Sequence, residues 1–254
     1  MEDGNVAAWG TNADHQTDVP ASVTNNAIAV AAGDVHSLAL LTNGSVVAWG
    51  KGNLGQTNVP ASVTNAVAIS AAGNQSLALR NDGIPVAWGQ PITSVPVDIS
   101  NVVAIASGTN FHLALRANGT VAAWGNNGNG QTNVPANLSN VVAIAAGGAH
   151  GLALKVDGKV VTWGNSSNSL SNVPANFTNS TANAMAIAGG YAHSLVLGND
   201  GKVVVWGDNA YSQTNTPPLL SVKLIAAGGN QSMAGIFGPT VQYPVVVANI
   251  CAVE

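Results

Sequence analysis

The sequence is poor in charged residues. Of its 254 residues only 7% are charged, with seven Lys plus Arg and a net charge of -4, whereas an average globular protein has roughly 25% charged residues. A chain with so few cations cannot build the basic surface that follows a phosphate backbone, so we expect no nucleic-acid partner. Low charge together with abundant Asn, Thr and Gly favours an extracellular or cell-surface location.

Cysteine and long apolar runs are also scarce. The single cysteine, Cys251, excludes an internal disulfide and a cysteine-based zinc site. No apolar run approaches the roughly 18 residues that span a bilayer, and the N-terminus lacks the basic-then-apolar pattern of a signal peptide. We therefore expect no membrane insertion. Aromatic residues make up only 5% of the chain, so Ala, Val, Leu and Ile must form most of the core.

What the sequence does contain is an internal repeat. Each of the six Trp residues is followed by Gly, and their spacings are 40, 39, 36, 39 and 43 residues. Between them recur two apolar runs joined by glycine, as in VVAIAAGGAHGLAL at 141–154. A Gln-Thr-Asn-Val-Pro segment appears at 56–60 and again at 131–135. Repetition this dense predicts a repeat architecture over nearly the whole chain.

Each repeat reads as four strands, which we name A to D. In the fourth complete repeat, strand A covers 141–146, strand B 151–154 and strand C 159–163. A weaker strand D surrounds Val173 and Pro174, where a proline suits an edge position. No stretch has capped helical periodicity, so the chain is predicted to be all-β. Four strands in about 40 residues is typical of a β-propeller blade, with the small residues of strand A innermost and the Trp of strand C between blades.

The two ends of the sequence complete each other. Residues 5–9 read as a C strand with no A or B strand before it, whereas the last A–B unit, 222–235, has no Trp-Gly after it. Pairing the N-terminal strand with the strand that follows Gly229 would close the ring without exposed edges. We therefore predict a six-bladed β-propeller of four-stranded blades, in which an N-terminal strand completes the C-terminal blade. A single domain is expected over 1–237, with a tail outside the repeats at 238–254.

The repeat resembles the regulator of chromosome condensation repeat family. The family signature is Ala-Gly-Gly-x-x-His-Ser-Leu-Ala-Leu, then Asp-Gly, then Val-x-x-Trp-Gly and Gly-Gln, and it is matched at 187–207 and 144–164. The short Gly-Gln-Thr-Asn-Val-Pro segment is similar to the bacterial branch, which includes a propeller-type β-lactamase inhibitor. The resemblance implies a propeller that binds proteins. In the inhibitor, aromatic side chains at the A–B turns anchor the partner. Only Tyr191 is aromatic at those positions here, which argues against β-lactamase inhibition.

Histidine is the residue type that comes closest to forming a chemical site. One position at the start of strand B holds His36, Gln75, His150, His193 and Gln231 in different repeats, and His112 lies one residue out of phase. Because glutamine is a poor replacement for an imidazole ligand, we interpret this as a position whose side chain hydrogen-bonds a neighbouring backbone group, and we expect no metal and no other cofactor. Nucleophile motifs and phosphate loops are absent, so no enzyme is predicted. A hydrolase or lyase site assembled from separate blades is a less favoured alternative.

The strand order predicts which face binds a partner. In an up-and-down blade the A–B turns and C–D loops emerge on one face, here named the A–B/C–D face, and the B–C hairpins emerge on the opposite hairpin face. Repeats differ most on the A–B/C–D face, and variable loops on a rigid scaffold commonly carry recognition. We predict a monomeric, non-enzymatic propeller that binds a protein there. The alternative is a lectin-like glycan binder. The candidate binding residues are Asp34, Lys51, Asn74, Phe111, His112, Tyr191, His193, Asn209 and Tyr211.

Overall fold

The computed structural model describes residues 4–91, 94–179, 183–217 and 222–236. In these residues the chain forms strands with three short helical segments, namely 3₁₀ turns at Ala21–Val23 and Ser167–Ser169 and the single-turn helix α1, Ala175–Thr178. The prediction of an all-β chain is confirmed. The strands are β1 Ala27–Ala32, β2 His36–Leu41, β3 Val46–Gly50, β4 Ala66–Ala72, β5 Gln75–Arg80, β6 Pro85–Gly89, β7 Val102–Gly108, β8 Phe111–Arg116, β9 Val121–Gly125, β10 Val141–Ala146, β11 His150–Lys155, β12 Val160–Gly164, β13 Ala184–Gly189, β14 His193–Gly198, β15 Val203–Gly207, β16 Val222–Gly228 and β17 Gln231–Ile236.

The strands form six antiparallel sheets, one for each repeat. Five sheets have the predicted order A, B, C, from β1-β2-β3 to β13-β14-β15, and the sixth contains β16 and β17. The register repeats as well. Ser37 lies opposite Trp49 in the first sheet, just as Ser194 lies opposite Trp206 in the fifth. A β-bulge interrupts the start of strand A in all six sheets.

Each B–C hairpin is tied to the next repeat through a glycine. Gly44 has φ +78°, a left-handed conformation that glycine adopts without strain, and the glycines of the other hairpins share it. The Gly44 carbonyl accepts a hydrogen bond from Ala66 N, the first residue of the next strand A, at 2.9 Å. The same bond recurs from Val141 N to the Gly119 carbonyl at 3.1 Å. Consecutive sheets are therefore held in a fixed relation by backbone hydrogen bonds as well as by side chains.

The core lies between neighbouring sheets. Trp88 is buried against Leu38 and Leu40 of the preceding sheet, and Trp124 is buried against Leu77 and Leu79 in the same way. The predicted interior role of tryptophan is therefore confirmed for the five Trp residues that lie in strands. Packing of bulky side chains between sheets, with Ala and Gly in strand A, suits a radial arrangement.

The predicted fourth strand is wrong for the described residues, in which each complete sheet has three strands. The Val-Pro segments follow turns instead, because Val59 N donates to the Thr57 carbonyl at 3.1 Å and the next residue, Pro60, has no N–H. Val59, Val134 and Val173 nevertheless pack against the hydrophobic clusters between sheets. The segment therefore covers the outer part of each repeat through its side chains without extending the ladder.

The N-terminal segment was predicted to join the first and last sheets, and it contacts only the first. The Gly4 carbonyl accepts a bond from Ala27 N at 3.2 Å, and Val6 packs against the cluster that contains Trp49, so the N-terminal segment occupies the place that a preceding C strand would take. No strand forms at residues 4–10, Trp9 is 77% exposed and β17 pairs only with β16 among the described residues. The structure is thus not closed by a ladder between residues 5–9 and β17. The predicted tail, 238–254, lies outside the described residues.

Candidate functional site

The Gly-Gln-Thr-Asn segment gives each C–D loop its shape. The Gln56 side-chain carbonyl accepts a hydrogen bond from Leu54 N at 2.9 Å, and Gln131 and Gln213 accept equivalent bonds at 2.8 Å. The residue before the glutamine has a left-handed backbone, as at Gly55 with φ +78°. Asn209 fixes the other side of its loop, because its Oδ1 accepts a bond from Thr214 N at 3.0 Å. The loops are therefore rigid supports rather than loose connections.

A buried hydrogen-bond network joins neighbouring sheets at the histidine position. His36 Nε2 lies 2.8 Å from Ser76 Oγ, and this hydroxyl lies 2.9 Å from the Gln56 backbone carbonyl. Trp88 Nε1 donates to the same carbonyl at 2.9 Å. The Ser76 hydroxyl has one proton and donates it to the Gln56 carbonyl. His36 Nε2 must therefore carry a proton and donate a hydrogen bond to Ser76 Oγ. The histidine thus links strand B of one sheet to strand B of the next.

Burial keeps these histidines neutral. Removal from water lowers the pKa of His36, His112 and His150 to about 4, and burial also lowers the pKa of His193. His150 Nε2 lies 2.9 Å from Ser194 Oγ, which repeats the bond between His36 and Ser76. These two histidines therefore make a hydrogen bond, as predicted, but the partner is a serine hydroxyl of the next sheet rather than a backbone group. At the same position Gln75 Nε2 donates to a backbone group, the Pro91 carbonyl. In the part of the chain that the structure describes, no three His, Cys, Asp or Glu side chains group as metal ligands.

The network changes where the histidine is replaced. Phe111 takes the histidine position in the third sheet, and the facing serine position in the fourth sheet is Gly151. A Cβ at Gly151 would lie 2.4 Å from the Trp163 ring, so a serine does not fit at this position. Phe111 and Gly151 therefore replace the hydrogen-bonded histidine and serine with apolar packing. His112, one residue out of phase, has its Nδ1 3.0 Å from Ser107 Oγ and its ring against Trp124.

Three of the predicted binding residues lie in the interior. Phe111, His112 and His193 are each 0% exposed. The prediction that they contribute exposed contacts does not fit this structure, because residues that begin strand B point between sheets rather than outward. The other six reach the A–B/C–D face. Asp34, Asn74 and Tyr191 lie in A–B turns, and Lys51, Asn209 and Tyr211 lie in C–D loops.

The A–B turns of all six sheets surround one central cavity of about 70 Å³. Its wall contains Asp34 from the first sheet, Thr109 from the third, Tyr191 from the fifth and Gly229 from the sixth, together with alanine and glycine backbone. Strand A is therefore innermost, as its small residues predicted. Glycine is required where turns meet, because a Cβ at Gly147 would lie 2.5 Å from the Gly190 carbonyl oxygen.

Backbone hydrogen bonds link one A–B turn to the next around this cavity. Asp34 N donates to the Gly73 carbonyl at 3.0 Å, Thr109 N to the Gly148 carbonyl at 3.1 Å, and Tyr191 N to the Gly229 carbonyl at 2.8 Å. Because Gly148 N also donates to the Gly190 carbonyl at 3.2 Å, these bonds connect the turns of the first two sheets and those of the third to sixth sheets, and together the turns form the rim of the A–B/C–D face. Residues on this rim are held in place by neighbouring sheets as well as by their own strands.

The few charges are distributed unevenly between the two faces. In the described residues the A–B/C–D face carries four carboxylates and one cation, Lys51, which lies 3.4 Å from Asp14. All other cations lie at the ends of strands on the hairpin face, together with four carboxylates. These cations are Arg80, Arg116, Lys155, Lys159, Lys202 and Lys223. The A–B/C–D face is therefore acidic and the hairpin face is mildly basic.

Sequence reasoning missed an apolar ring on the hairpin face. The second residue of strand A sits in the β-bulge and points outward, with 49–64% exposure at Ile28, Val67, Val103, Val142 and Met185. The outward direction of this residue is not visible in the sequence, because every residue of strand A is apolar and would be assigned to the core. One signal was available. The sixth repeat has Lys223 at the same position, and a lysine there is consistent with an exposed site.

A family model agrees with the repeat boundaries. The Regulator of chromosome condensation (RCC1) repeat matches residues 27–56, 102–131, 141–169 and 186–213. The matched segments together cover a little under half of the chain. Each matched segment starts at or near the beginning of strand A and ends in the C–D loop, so one RCC1 repeat corresponds to one sheet with the loop that supports the next interface. No match was found among curated protein sequences.

Solved structures show the fold to be an RCC1-like propeller. Prp20p of Saccharomyces cerevisiae, whose structure was reported with its binding properties to Gsp1p and histones, is 22% identical with a TM-score of 0.67 over 81% of this chain and 68% of that one. Human WBSCR16 is 19% identical with a TM-score of 0.66 over 84% of this chain and 72% of that one. The CRINKLY WD40 ectodomain of Arabidopsis thaliana ACR4 is 23% identical with a TM-score of 0.64 over 80% and 72%. Among the described residues, no helix is long and apolar enough to cross a membrane.

Proposed function

We propose that the protein is a non-enzymatic binding propeller that recognises another protein through its A–B/C–D face. The observation that carries the proposal is a pair of exposed tyrosines on one sheet. Tyr191, in the turn between β13 and β14, is 62% exposed, and Tyr211, in the loop after β15, is 65% exposed. Tyrosine is among the residues that most often dominate protein interfaces, since it offers a large contact area and a polar hydroxyl at small entropic cost.

The loops that carry these tyrosines are held in place before any partner binds. Tyr211 N donates to Gln213 Oε1 at 2.8 Å, and Tyr191 N donates to the Gly229 carbonyl at 2.8 Å. A binding surface that is already ordered loses little conformational entropy on association, which favours affinity. This rigidity supports recognition of a folded protein surface.

The scaffold in this proposal is a monomeric six-bladed ring over residues 1–237, closed by residues 5–9. Its support is a repeated hydrogen-bond pattern. Ser37 Oγ and Trp49 Nε1 both donate to the Gln16 carbonyl, at 2.9 and 3.0 Å, as Ser76 and Trp88 do to Gln56. At the other end of the chain, Ser232 Oγ donates to the Gln213 carbonyl at 2.8 Å. Trp9 is the residue that would complete this last set.

Similar structures supply a second line of support. Prp20p was described with its binding to Gsp1p and histones, and the same yeast protein was solved with Kap60 bound. All of these are protein partners. At 22–23% identity the likeness establishes the fold alone for this chain, so a protein partner is carried over here as part of the proposal.

Affinity capture with matched variants tests the binding face. Tyr191→Ser with Tyr211→Ser removes both exposed rings from the A–B/C–D face, whereas Val142→Ser with Val156→Ser removes two exposed apolar side chains from the hairpin face. We expect proteins captured by the unmodified chain to be lost with the tyrosine variant and retained with the valine variant. Retention by the tyrosine variant, with loss in the valine variant, would move the binding site to the hairpin face.

A glycan array distinguishes the lectin-like alternative from protein binding. Polar loops with a few exposed aromatic rings also suit shallow sugar sites, so the same tyrosines could stack on a sugar ring. We expect no saturable signal on the array under conditions in which protein capture succeeds. Glycan binding that disappears in the tyrosine variant, without captured proteins, would replace the proposed function with the lectin reading.

A further inference from the structure

We infer that the central cavity of the A–B/C–D face binds the ammonium or guanidinium group of a lysine or arginine side chain presented by a partner. The cavity lies where the A–B turns of all six sheets converge, and Asp34 is the only charged side chain among the described residues of its wall. The part of this inference that concerns a partner protein rests on the proposed function. The selectivity of the cavity for a cation rests on its own geometry.

The cavity wall offers hydrogen-bond acceptors and few donors. The turn amides are used internally, since Asp34 N, Thr109 N and Tyr191 N donate to carbonyls of the next turn. Gly147 N and Gly190 N donate within their own turns, to the His150 and His193 carbonyls, at 2.8 and 2.9 Å. Each carbonyl oxygen has two lone pairs, and an N–H has a single proton. The wall therefore retains acceptor capacity after these amides are occupied, which suits a donor-rich cation and disfavours a carboxylate or a phosphate.

Two side chains at the rim reinforce this preference. The Asp34 carboxylate supplies the charge that an ammonium or guanidinium group requires. The Tyr191 ring lies against the turn at Gly148, where a Cβ would come within 2.9 Å of its Cδ2 atom, so the ring stands at the cavity edge. An aromatic face at such a site attracts a cation through its quadrupole. The surplus of carboxylates on the A–B/C–D face favours approach of a positively charged segment.

The dimensions and the lining suit one extended side chain. A volume of about 70 Å³ admits a single aliphatic stem and excludes a helix or a ring system. Apart from Asp34, Thr109, Ser107 and Tyr191, the wall is glycine and alanine, against which methylene groups can pack. Lysine and arginine combine such a stem with a charged head, and the stem is commonly placed against apolar surface. A free metal cation would not use this apolar part of the wall.

Titration with small side-chain analogues tests the inference without a partner protein. The probes are n-butylammonium and n-propylguanidinium, with butyrate and n-butanol as controls, followed by amide chemical shifts in ¹H–¹⁵N spectra of the full chain. We expect saturable shifts for the two cations at Asp34, Thr109, Gly148 and Tyr191, and none for the controls. Asp34→Asn should weaken cation binding by about tenfold or more, since it removes the only charge in the cavity wall. Asp208→Asn, which removes a carboxylate from the same face outside that wall, should leave it unchanged.

The outcomes separate this inference from the proposed function. Absence of saturable shifts, equal shifts with butyrate, or unchanged binding in Asp34→Asn would each overturn the cation site. The control is a thermal melt of the Asp34→Asn variant. A melting temperature equal to that of the unmodified chain shows that the substitution leaves the fold intact. If the cations bind at the cavity but the tyrosine variant still captures every partner, the cation site stands and the proposed function fails.

Discussion

Serine 76 shows how one small side chain connects three elements. Its hydroxyl accepts from His36 Nε2 at 2.8 Å and donates to the Gln56 carbonyl at 2.9 Å, and all of these groups are buried. Ser37 occupies the same strand position and donates to the Gln16 carbonyl, but no histidine bond to it is formed in the structure. Substitutions of the two serines can therefore be compared to measure the contribution of the histidine bond.

Ser76→Ala should destabilise the protein more than Ser37→Ala. The first change leaves a buried imidazole N–H without an acceptor, and an unsatisfied buried group costs about 1–3 kcal/mol. The second change removes one hydrogen bond at a partly exposed site. Urea unfolding of both variants measures the difference. Equal losses of stability would mean that the His36 bond contributes nothing to the sheet interface.

Acid should destabilise the fold through the buried histidines. Their pKa falls from 6.5 to about 4 in the folded state for His36, His112 and His150, so only the unfolded chain gains protons as the pH drops below 6.5. Stability is then fully present above pH 6.5 and is progressively lost as the pH falls towards 4. His36→Gln, which copies the residue at position 75, should reduce the pH dependence of the urea midpoint. An unchanged pH dependence would contradict this.

At the scale of a strand, sequence pattern predicted most of the structure. The A, B and C strands follow from apolar runs separated by glycine turns, and their order follows from the repeat. Strand D was predicted wrongly because Val-Pro segments are apolar and extended, whereas their backbone N–H groups bond within local turns. The bulge in strand A could not be predicted from apolar periodicity, since Val141 and Val142 look alike in the sequence but only Val141 is buried.

Adjacent valines of β10 should therefore respond in opposite ways to a charge. Val142→Lys places a lysine at the exposed bulge position that Lys223 holds in β16, and a surface change of this kind usually alters stability by less than about 0.5 kcal/mol. Val141→Lys forces a charge into the cluster with Leu115 and Leu138 and should prevent stable folding. Circular dichroism melts of both variants measure this. Similar melting temperatures would show that the bulge is misplaced.

At the scale of the whole molecule, the open question is how the first and last sheets meet. If the sixth sheet had the register of the first, in which Ala48 lies opposite Leu38 and Trp49 opposite Ser37, Ala8 would lie opposite Met233 and Trp9 opposite Ser232. Sequence predicted this partnership from two incomplete repeats. The structure contains its N-terminal half, in which Gly4 and Val6 lie against the first sheet, and leaves the edge of β17 exposed.

A cysteine pair tests the closure. In a background with Cys251→Ser, Ala8→Cys with Met233→Cys should form a disulfide within one chain, because directly opposed residues in an antiparallel pair have Cα atoms about 4.5–5.5 Å apart, a separation that a disulfide spans. Ala8→Cys with Val156→Cys is the control, since Val156 belongs to a distant B–C hairpin. A monomer that migrates as a cross-linked loop supports the six-bladed ring. Disulfide-linked dimers, or no disulfide, would refute closure within one chain.

Site-specific photo-cross-linking tests directly whether the A–B/C–D face recognises a protein. A photoreactive phenylalanine analogue is placed at Tyr191, at Tyr211 or, on the opposite face, at Val142, all of which are exposed in this structure. We expect the two tyrosine positions to cross-link to the same captured protein and position 142 to give no cross-link. Cross-linking from position 142 alone would contradict the account and assign binding to the hairpin face.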